Sequence, residues 1–121
     1  MSTTTQAFDL DALRRAIESR DATGQVAMYA DDAEVVTVDK QHPPSNPLHA
    51  RGIDEIRALI EDVCARDMTH ELTHTVSGPD GAAFTLQCRY PDGTRVFCAT
   101  LLETRGGKIV RQEGAQAWDE A

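Results

Sequence analysis

Residues 28–39, MYADDAEVVTVD, contain the change from helix to sheet on which the fold depends. We predict that a second short helix carries residues 26–29, with Tyr29 near its end, and that Asp31 and Asp32 stop it. Residues 34–39, EVVTVD, are rich in β-branched side chains, which favour a strand. Helical structure is therefore expected before this segment, and extended structure is expected to begin within it.

An amphipathic helix is predicted on each side of this segment. Upstream, Leu10, Leu13 and Ile17 recur at helical spacing, and Asp9 is placed to cap the helix. Downstream, residues 53–66 carry the clearest apolar stripe in the chain, with acid in the first turn and base in the last, as the helix dipole favours. Core positions are expected at Leu13, Ile17, Ile56, Ile60 and Leu102.

The segment between that first strand and the 53–66 helix, HPPSNPLHAR (42–51), is predicted to be a loop. It holds three of the five prolines in the chain. Proline cannot donate to a sheet ladder, and it restricts the residue before it. We expect this loop to lie over the mouth of any pocket.

The residues after Met68 predict a meander of four strands. Short turn sequences containing Asp-Gly or Gly-Gly separate β-rich runs, and these pairs are strong hairpin signals. The strands are expected at 71–77, 83–90, 94–104 and 108–118. The order of elements therefore predicts an α+β fold in which three helices pack on a mostly antiparallel sheet.

Length and composition limit the class of protein. The 121 residues suffice for one domain, which we assign to residues 9–121, with a polar, flexible N-terminal tail over residues 1–8. The formal charge of −8 argues against nucleic-acid or anionic-membrane partners, because both need a basic surface. No apolar run approaches the roughly 20 residues of a membrane span.

The cysteines and the N-terminus favour a cytoplasmic protein. The N-terminus lacks the cationic and apolar regions of a signal peptide. Cys64, Cys88 and Cys98 are odd in number and show no CxxC spacing, so we expect reduced, mostly buried thiols.

No metal or cofactor is expected. His70 and His74 lie four residues apart on a predicted strand, so they are roughly 13 Å apart and too distant to share a metal ion. The chain also lacks a phosphate-binding loop and a dinucleotide fingerprint.

Asp39 is the best candidate for a general base, and His74 is the second catalytic candidate. A carboxylate at a strand end beside an apolar pocket would have its pKa raised by desolvation. The alternative is a solvated Asp at a strand–loop junction, where turns favour this residue. His74 lies between Leu72 and Val76 on one face of the predicted strand, and this mixture of polar and apolar side chains suggests a half-buried surface. A core or interface histidine is the alternative there.

Three segments resemble the nuclear transport factor 2-like superfamily, which includes ketosteroid isomerases, limonene epoxide hydrolases and SnoaL-like polyketide cyclases. They are MYADDAEVVTVD (28–39), HARGIDEIRALI (49–60) and GGKIVRQEGAQAWDEA (106–121). The likeness spans about residues 9–121. It implies a strongly curved sheet wrapped around the helices into a cone with a central apolar pocket, usually in a homodimer.

By this resemblance, the catalytic residues of the known members are mostly absent. Leu13 stands where ketosteroid isomerases carry a tyrosine, and Phe97 or Ala99 stands where they carry a protonated Asp. Thr37 replaces their proton-shuttling Asp, and Asp39 lies two residues further on the same strand face. The Arg–Asp pair typical of limonene epoxide hydrolases is missing as well.

Four further residues are expected to bind a ligand: Tyr29, His42, Gln116 and Trp118. Trp118 matches the closing aromatic residue that lines the pocket in ketosteroid isomerases, and Tyr29 occupies a position that the family places near the cavity. Core packing is the alternative for both rings. Gln116 shares a strand face with Trp118 and offers a hydrogen bond to a carbonyl ligand, while His42 belongs to the loop at the pocket mouth.

Two functions remain open at this point. One is a cofactor-independent SnoaL-like enzyme that performs acid/base chemistry of the isomerase, cyclase or epoxide-hydrolase type on a hydrophobic small molecule. The other is a non-catalytic ligand-binding or dimerisation module of the same fold.

A homodimer is expected through the outer face of the sheet. Both faces of the strand predicted at 94–104 are apolar, yet only one can face the core. The two sets are Val96, Cys98 and Leu102, and Phe97, Ala99 and Leu101. A symmetric partner is the simplest cover for the second set.

Overall fold

Three helices pack on a six-stranded, mostly antiparallel, curved sheet that does not close. The structure is a computed structural model that describes residues 8–119. Most of the expected tail lies outside these residues, but Phe8 packs against the core. The helices are α1 (Leu10–Glu18), α2 (Ala22–Val26) and α3 (Gly52–Ala65). The strands are β1 (Tyr29–Val38), β2 (Leu48–Arg51), β3 (Thr69–Gly78), β4 (Gly81–Arg89), β5 (Arg95–Arg105) and β6 (Lys108–Trp118). The predicted α+β fold is therefore confirmed.

Helices α1 and α3 begin where the sequence predicts. The Asp9 carboxylate accepts a hydrogen bond from the Ala12 backbone N–H at 3.0 Å, which caps α1. Helix α3 has no such side-chain cap; instead, Gly52 enters it at a φ of 82°, a conformation that costs glycine little. Glu55 supports this start by accepting the Arg51 N–H at 2.8 Å.

The helix predicted over residues 26–29 is wrong, because α2 ends at Val26 and Tyr29 begins β1. The cause is a contact distant in sequence: the Ile109 N–H donates to the Met28 carbonyl at 2.9 Å, and Tyr29 pairs with Ile109 of β6. Residues 31–32 are exposed within β1 and do not end a helix.

The loop predicted over residues 42–51 is also partly wrong. Its last four residues form β2, which pairs antiparallel with β1 from Thr37↔Leu48 to Glu34↔Arg51. All three prolines of the segment precede β2, and β2 is an edge strand with a partner on one side only. The prolines therefore restrict only the connection that leads into the strand.

The strand order in the sheet is β2-β1-β6-β5-β4-β3. Strands β3 to β6 form the predicted antiparallel meander. The one parallel pairing among the described strands joins β1 to β6. It attaches the N-terminal half of the chain, with all three helices, to the meander.

One face of the sheet packs on the helices, and this inner face holds the core. Four of the five predicted core residues are buried, namely Leu13, Ile56, Ile60 and Leu102, while Ile17 is partly buried against them. The outer face remains uncovered, with Val76 68% exposed, Leu101 56% and Phe97 42%. No helix within residues 8–119 is long and apolar enough to cross a membrane.

Replacing Ile56 by Ala should destabilise the protein by about 2–5 kcal/mol, because it leaves a cavity at a fully buried position. Chemical denaturation measures this as a lower midpoint with an unchanged slope. Ile53→Ala, at a partly buried position of the same helix, is the matched control and should cost less. Equal losses in the two variants would mean that α3 buries a different face.

Candidate functional site

A cavity of about 460 Å³ lies between the helices and the inner face of the sheet. Its apolar walls come from both layers, including Leu13 of α1, Ile60 of α3 and Phe84 of β4. Polar side chains gather toward the end of β1 and along β6. Apolar walls with a few convergent polar groups are typical of small-molecule sites.

Asp39 and His42 form a hydrogen-bonded pair at this cavity. Their backbones bond to each other in both directions, at 3.0 and 3.2 Å, across the tight turn formed by Lys40 and Gln41. Residues paired in this way present their side chains on one face. The His42 Nδ1 accordingly lies 2.8 Å from the Asp39 Oδ1, and both side chains line the cavity.

The Asp39 carboxyl is ionised, contrary to the expectation of a raised pKa. Desolvation raises the pKa of Asp39. Hydrogen bonds from the His42 ring and the Gln41 backbone N–H have a larger combined effect in the opposite direction, so the pKa lies below its ordinary value. Because an ionised carboxylate only accepts hydrogen bonds, His42 donates from Nδ1. The other ring nitrogen, Nε2, is then free to accept a proton.

The expected ligand-binding residues Tyr29, Gln116 and Trp118 all line the cavity. Burial raises the pKa of Tyr29 well above its usual value, so its hydroxyl stays protonated, and it donates to the Gln112 side-chain oxygen. The Trp118 Nε1–H donates to the Gln116 Oε1 at 3.1 Å. These two bonds use the side-chain oxygens of Gln112 and Gln116. The NH₂ groups of both glutamines therefore remain as donors for a ligand.

His74 does not line this cavity, so its expected place in the pocket is wrong. A β-bulge shifts the register of β3 between Leu72 and His74, and His74 then pairs with Thr85 on the outer face. One extra residue reverses the side-chain alternation of a strand. His74 consequently borders a separate outer-face depression of about 600 Å³.

His70, before the bulge, is the histidine of β3 that lines the cavity. Its Nδ1 lies 3.1 Å from the Cys88 Sγ, and burial, with a smaller contribution from the Arg20 charge, lowers the pKa of His70. His70 lies two residues before Leu72 and therefore shares its face of the strand. This spacing was the sequence signal that could have placed His70 in the cavity. Lys40 and Arg66 also line the cavity and were not expected there.

The two residues that the resemblance matched to the late-strand Asp of ketosteroid isomerases do not line the cavity. Phe97 and Ala99, the two matching positions, are exposed on the outer face. The inward neighbours are Cys98 and Thr100, both of which line the cavity. Thr37 and Asp39 do share the inner face, as predicted.

A second histidine–carboxylate pair lies on the outer face of the sheet. The His49 Nε2 is 2.6 Å from a Glu34 oxygen, and Arg51 and Arg111 also contact Glu34. Neither His49 nor Glu34 lines the cavity. Within residues 8–119, no three His, Cys, Asp or Glu side chains are grouped so that they could hold a metal ion.

Comparison with known proteins gives a family and a fold. The family described as SnoaL-like domain matches residues 10–112. No curated protein matches the sequence significantly.

Solved structures similar to this chain share its fold at low sequence identity. An NTF2-like protein of unknown function from Mesorhizobium loti has a TM-score of 0.79 at 16% identity, over 89% of this chain and 87% of that one. A candidate ketosteroid isomerase from Kribbella flavida has a TM-score of 0.73 at 17% identity, over 93% and 76%. A candidate isomerase from Rhodopseudomonas palustris has a TM-score of 0.67 at 13% identity, over 96% and 91%.

His42→Gln should raise the pKa of the Asp39 carboxyl, since it removes the imidazole ring whose hydrogen bond lowers this pKa. Carbon-13 NMR titration of the Asp39 carboxyl measures the change. In the unmodified protein this pKa should lie below the ordinary 3.8. The stability contributed by ionised Asp39 is then complete above about pH 4 and is lost as the pH falls through the folded-state pKa.

His49→Gln is the control for this titration, because it breaks the outer-face pair and leaves the turn at Asp39 unchanged. An Asp39 pKa that responds equally to both substitutions, or to neither, would contradict the assigned contact.

Proposed function

The chain belongs to the SnoaL-like domain family, and from this premise we propose that it is a cofactor-independent enzyme of the isomerase or cyclase type. Its reaction would be proton transfer at a carbon next to the carbonyl group of a hydrophobic substrate. The observation that carries the proposal is the Asp39–His42 pair, which borders the cavity. The candidate isomerases among its structural neighbours are consistent with this class of reaction.

His42 is the general base in this proposal, and Asp39 positions it. Asp39 holds Nδ1–H at 2.8 Å, which fixes the neutral tautomer with Nε2 unprotonated. The Nε2 takes the substrate proton, and the negative charge of Asp39 stabilises the resulting imidazolium. This arrangement replaces the initial expectation that Asp39 itself removes the proton.

The side-chain amides of β6 stabilise the charge that develops on the substrate. As the proton leaves carbon, negative charge moves to the carbonyl oxygen and forms an enolate. The NH₂ groups of Gln112 and Gln116 are donors on the cavity face of β6. Donors fixed in position before the reaction stabilise such an oxyanion without reorganisation.

The enolate can then react in two ways that need no other reactant. If His42 returns the proton at a different carbon, a double bond moves and the reaction is an isomerisation. If the enolate carbon attacks a second carbonyl of the same molecule, a ring closes, and His42 protonates the new alkoxide. Both outcomes conserve all atoms of the substrate.

Deuterium exchange tests the base without knowledge of the natural substrate. The protein should accelerate exchange of the α-hydrogens of apolar ketones, such as 2-tetralone and 2-indanone, in deuterated buffer, as followed by NMR. His42→Gln and Asp39→Asn should each slow this exchange by about 100-fold or more. His49→Gln, at the outer-face pair, should exchange at the rate of the unmodified protein.

Full activity in both cavity variants would remove the Asp39–His42 pair from the mechanism. Ketones that bind without accelerated exchange would favour the alternative function, a non-catalytic ligand-binding module.

The assembly proposed for this protein is a homodimer through the outer face of the sheet. That face carries the exposed side chains of Val76, Phe97 and Leu101 next to a shallow depression lined by small residues such as Ala83 and Ala99. A two-fold contact buries the same self-complementary patch on both chains, and a projection beside a depression on one surface suits such a contact. We therefore take a second copy of the chain as the partner.

Leu101→Lys should shift the protein from dimer to monomer in sedimentation velocity, because it places a charge in the proposed contact. Asn46→Lys adds the same charge at an exposed loop position away from this face and should leave the dimer intact. A monomer in the unmodified protein at high micromolar concentration would contradict the proposed assembly.

A further inference from the structure

The charged side chains that line the cavity carry a net positive charge, whereas the chain as a whole has a net charge of −8. The protein has 20 acidic and 12 basic residues. Yet the cavity is lined by two permanent cations, Lys40 and Arg66, and by a single carboxylate, that of Asp39. His42 already donates to that carboxylate. The cavity therefore offers uncompensated positive charge in an otherwise negative protein.

An aromatic pair places the two cations on one wall of the cavity. The rings of Tyr90 and Trp118 stack with their centroids 5.8 Å apart. The Lys40 Nζ lies 4.5 Å from the centroid of the Trp118 ring, as in a cation–π contact. On the other side, an Arg66 N–H donates to the Tyr90 hydroxyl at 3.2 Å.

Both cations keep donors for a ligand. Arg66 also donates to Asp62 at 2.6 Å, but these side chains are 43% and 62% exposed, so their ion pair is weak and open to exchange. A guanidinium has five N–H donors, of which these two contacts use two. Lys40 has no carboxylate within 4 Å among residues 8–119.

We propose that the natural ligand is an amphipathic anion, with an apolar body in the cavity and a carboxylate held by Lys40 and Arg66. This inference rests on the proposed function, because it places the ligand in the same cavity. A monocarboxylate fits, since one cation already shares its charge with Asp62. The charge-assisted bonds orient the ligand and leave its apolar body to the walls formed by Leu13 and Phe84.

Binding of matched acids and amides tests this charge preference. The probes are phenylacetic, 1-naphthaleneacetic and decanoic acids, each with its neutral carboxamide of nearly equal size, and isothermal titration calorimetry gives their affinities. At least one acid should bind about tenfold or more tightly than its amide. Lys40→Gln and Arg66→Gln should each remove most of this preference, and Arg66→Lys should retain part of it.

Arg57→Gln is the matched control, because Arg57 lies on α3, the helix that ends just before Arg66, forms a similar ion pair with Asp54 and does not line the cavity. It should leave the preference unchanged. Thermal melts of each variant show whether it folds, and the comparison of acid with amide in the unmodified protein stands without any variant.

The outcomes separate this inference from the proposed function. Equal binding of acids and amides would overturn the anionic ligand and leave the cavity as a site for neutral carbonyl compounds. Binding of no probe in either form would overturn the ligand inference. Ketone exchange would then decide the proposed function by itself.

Discussion

The parallel pairing of β1 with β6 determines where the polar groups of the cavity meet. Its register places Thr37 opposite Gly114 and Val38 opposite Ala115. The chain leaves β1 at Asp39, so the turn that follows lies beside the last residues of β6. Asp39 and His42 come from the first half of the chain, and the Gln112 and Gln116 side chains come from the second. This backbone pairing brings them to one cavity.

Local signals in the sequence were sufficient for most of the fold. The apolar stripe of α3, the Asp9 cap and the hairpin turns of the meander each depend on residues close together in the chain, and each was predicted. The exceptions depend on distant contacts. Tyr29 is extended because β6 pairs with it, and β2 forms because β1 offers an open edge. Neither partner is visible within the segment itself.

The site was predictable only in part, for the same reason. Strand alternation correctly places Asp39 on the face of Thr37, and the shared face of Gln116 and Trp118 on β6 followed from the same rule. The contact between Asp39 and His42 needs a two-residue turn at Lys40 and Gln41, and this pair lacks the Gly or Asn that usually indicates one. Likewise, nothing in the residues of β3 indicates its bulge, which moves His74 to the outer face.

The bulge in β3 divides one strand into two segments with separate tasks. Up to Leu72 the inward side chains belong to the cavity region, whereas after the bulge His74 and Val76 turn outward. Mutations in the second segment can therefore alter the outer surface during evolution without changing the residues that line the cavity. A single-residue deletion at Thr73 would remove the bulge and keep His74 opposite Thr85 on the outer face, because the residue that directly follows the inward Leu72 points outward. In protein engineering, that deletion would straighten and untwist β3 locally while every remaining side chain of the strand keeps its face of the sheet.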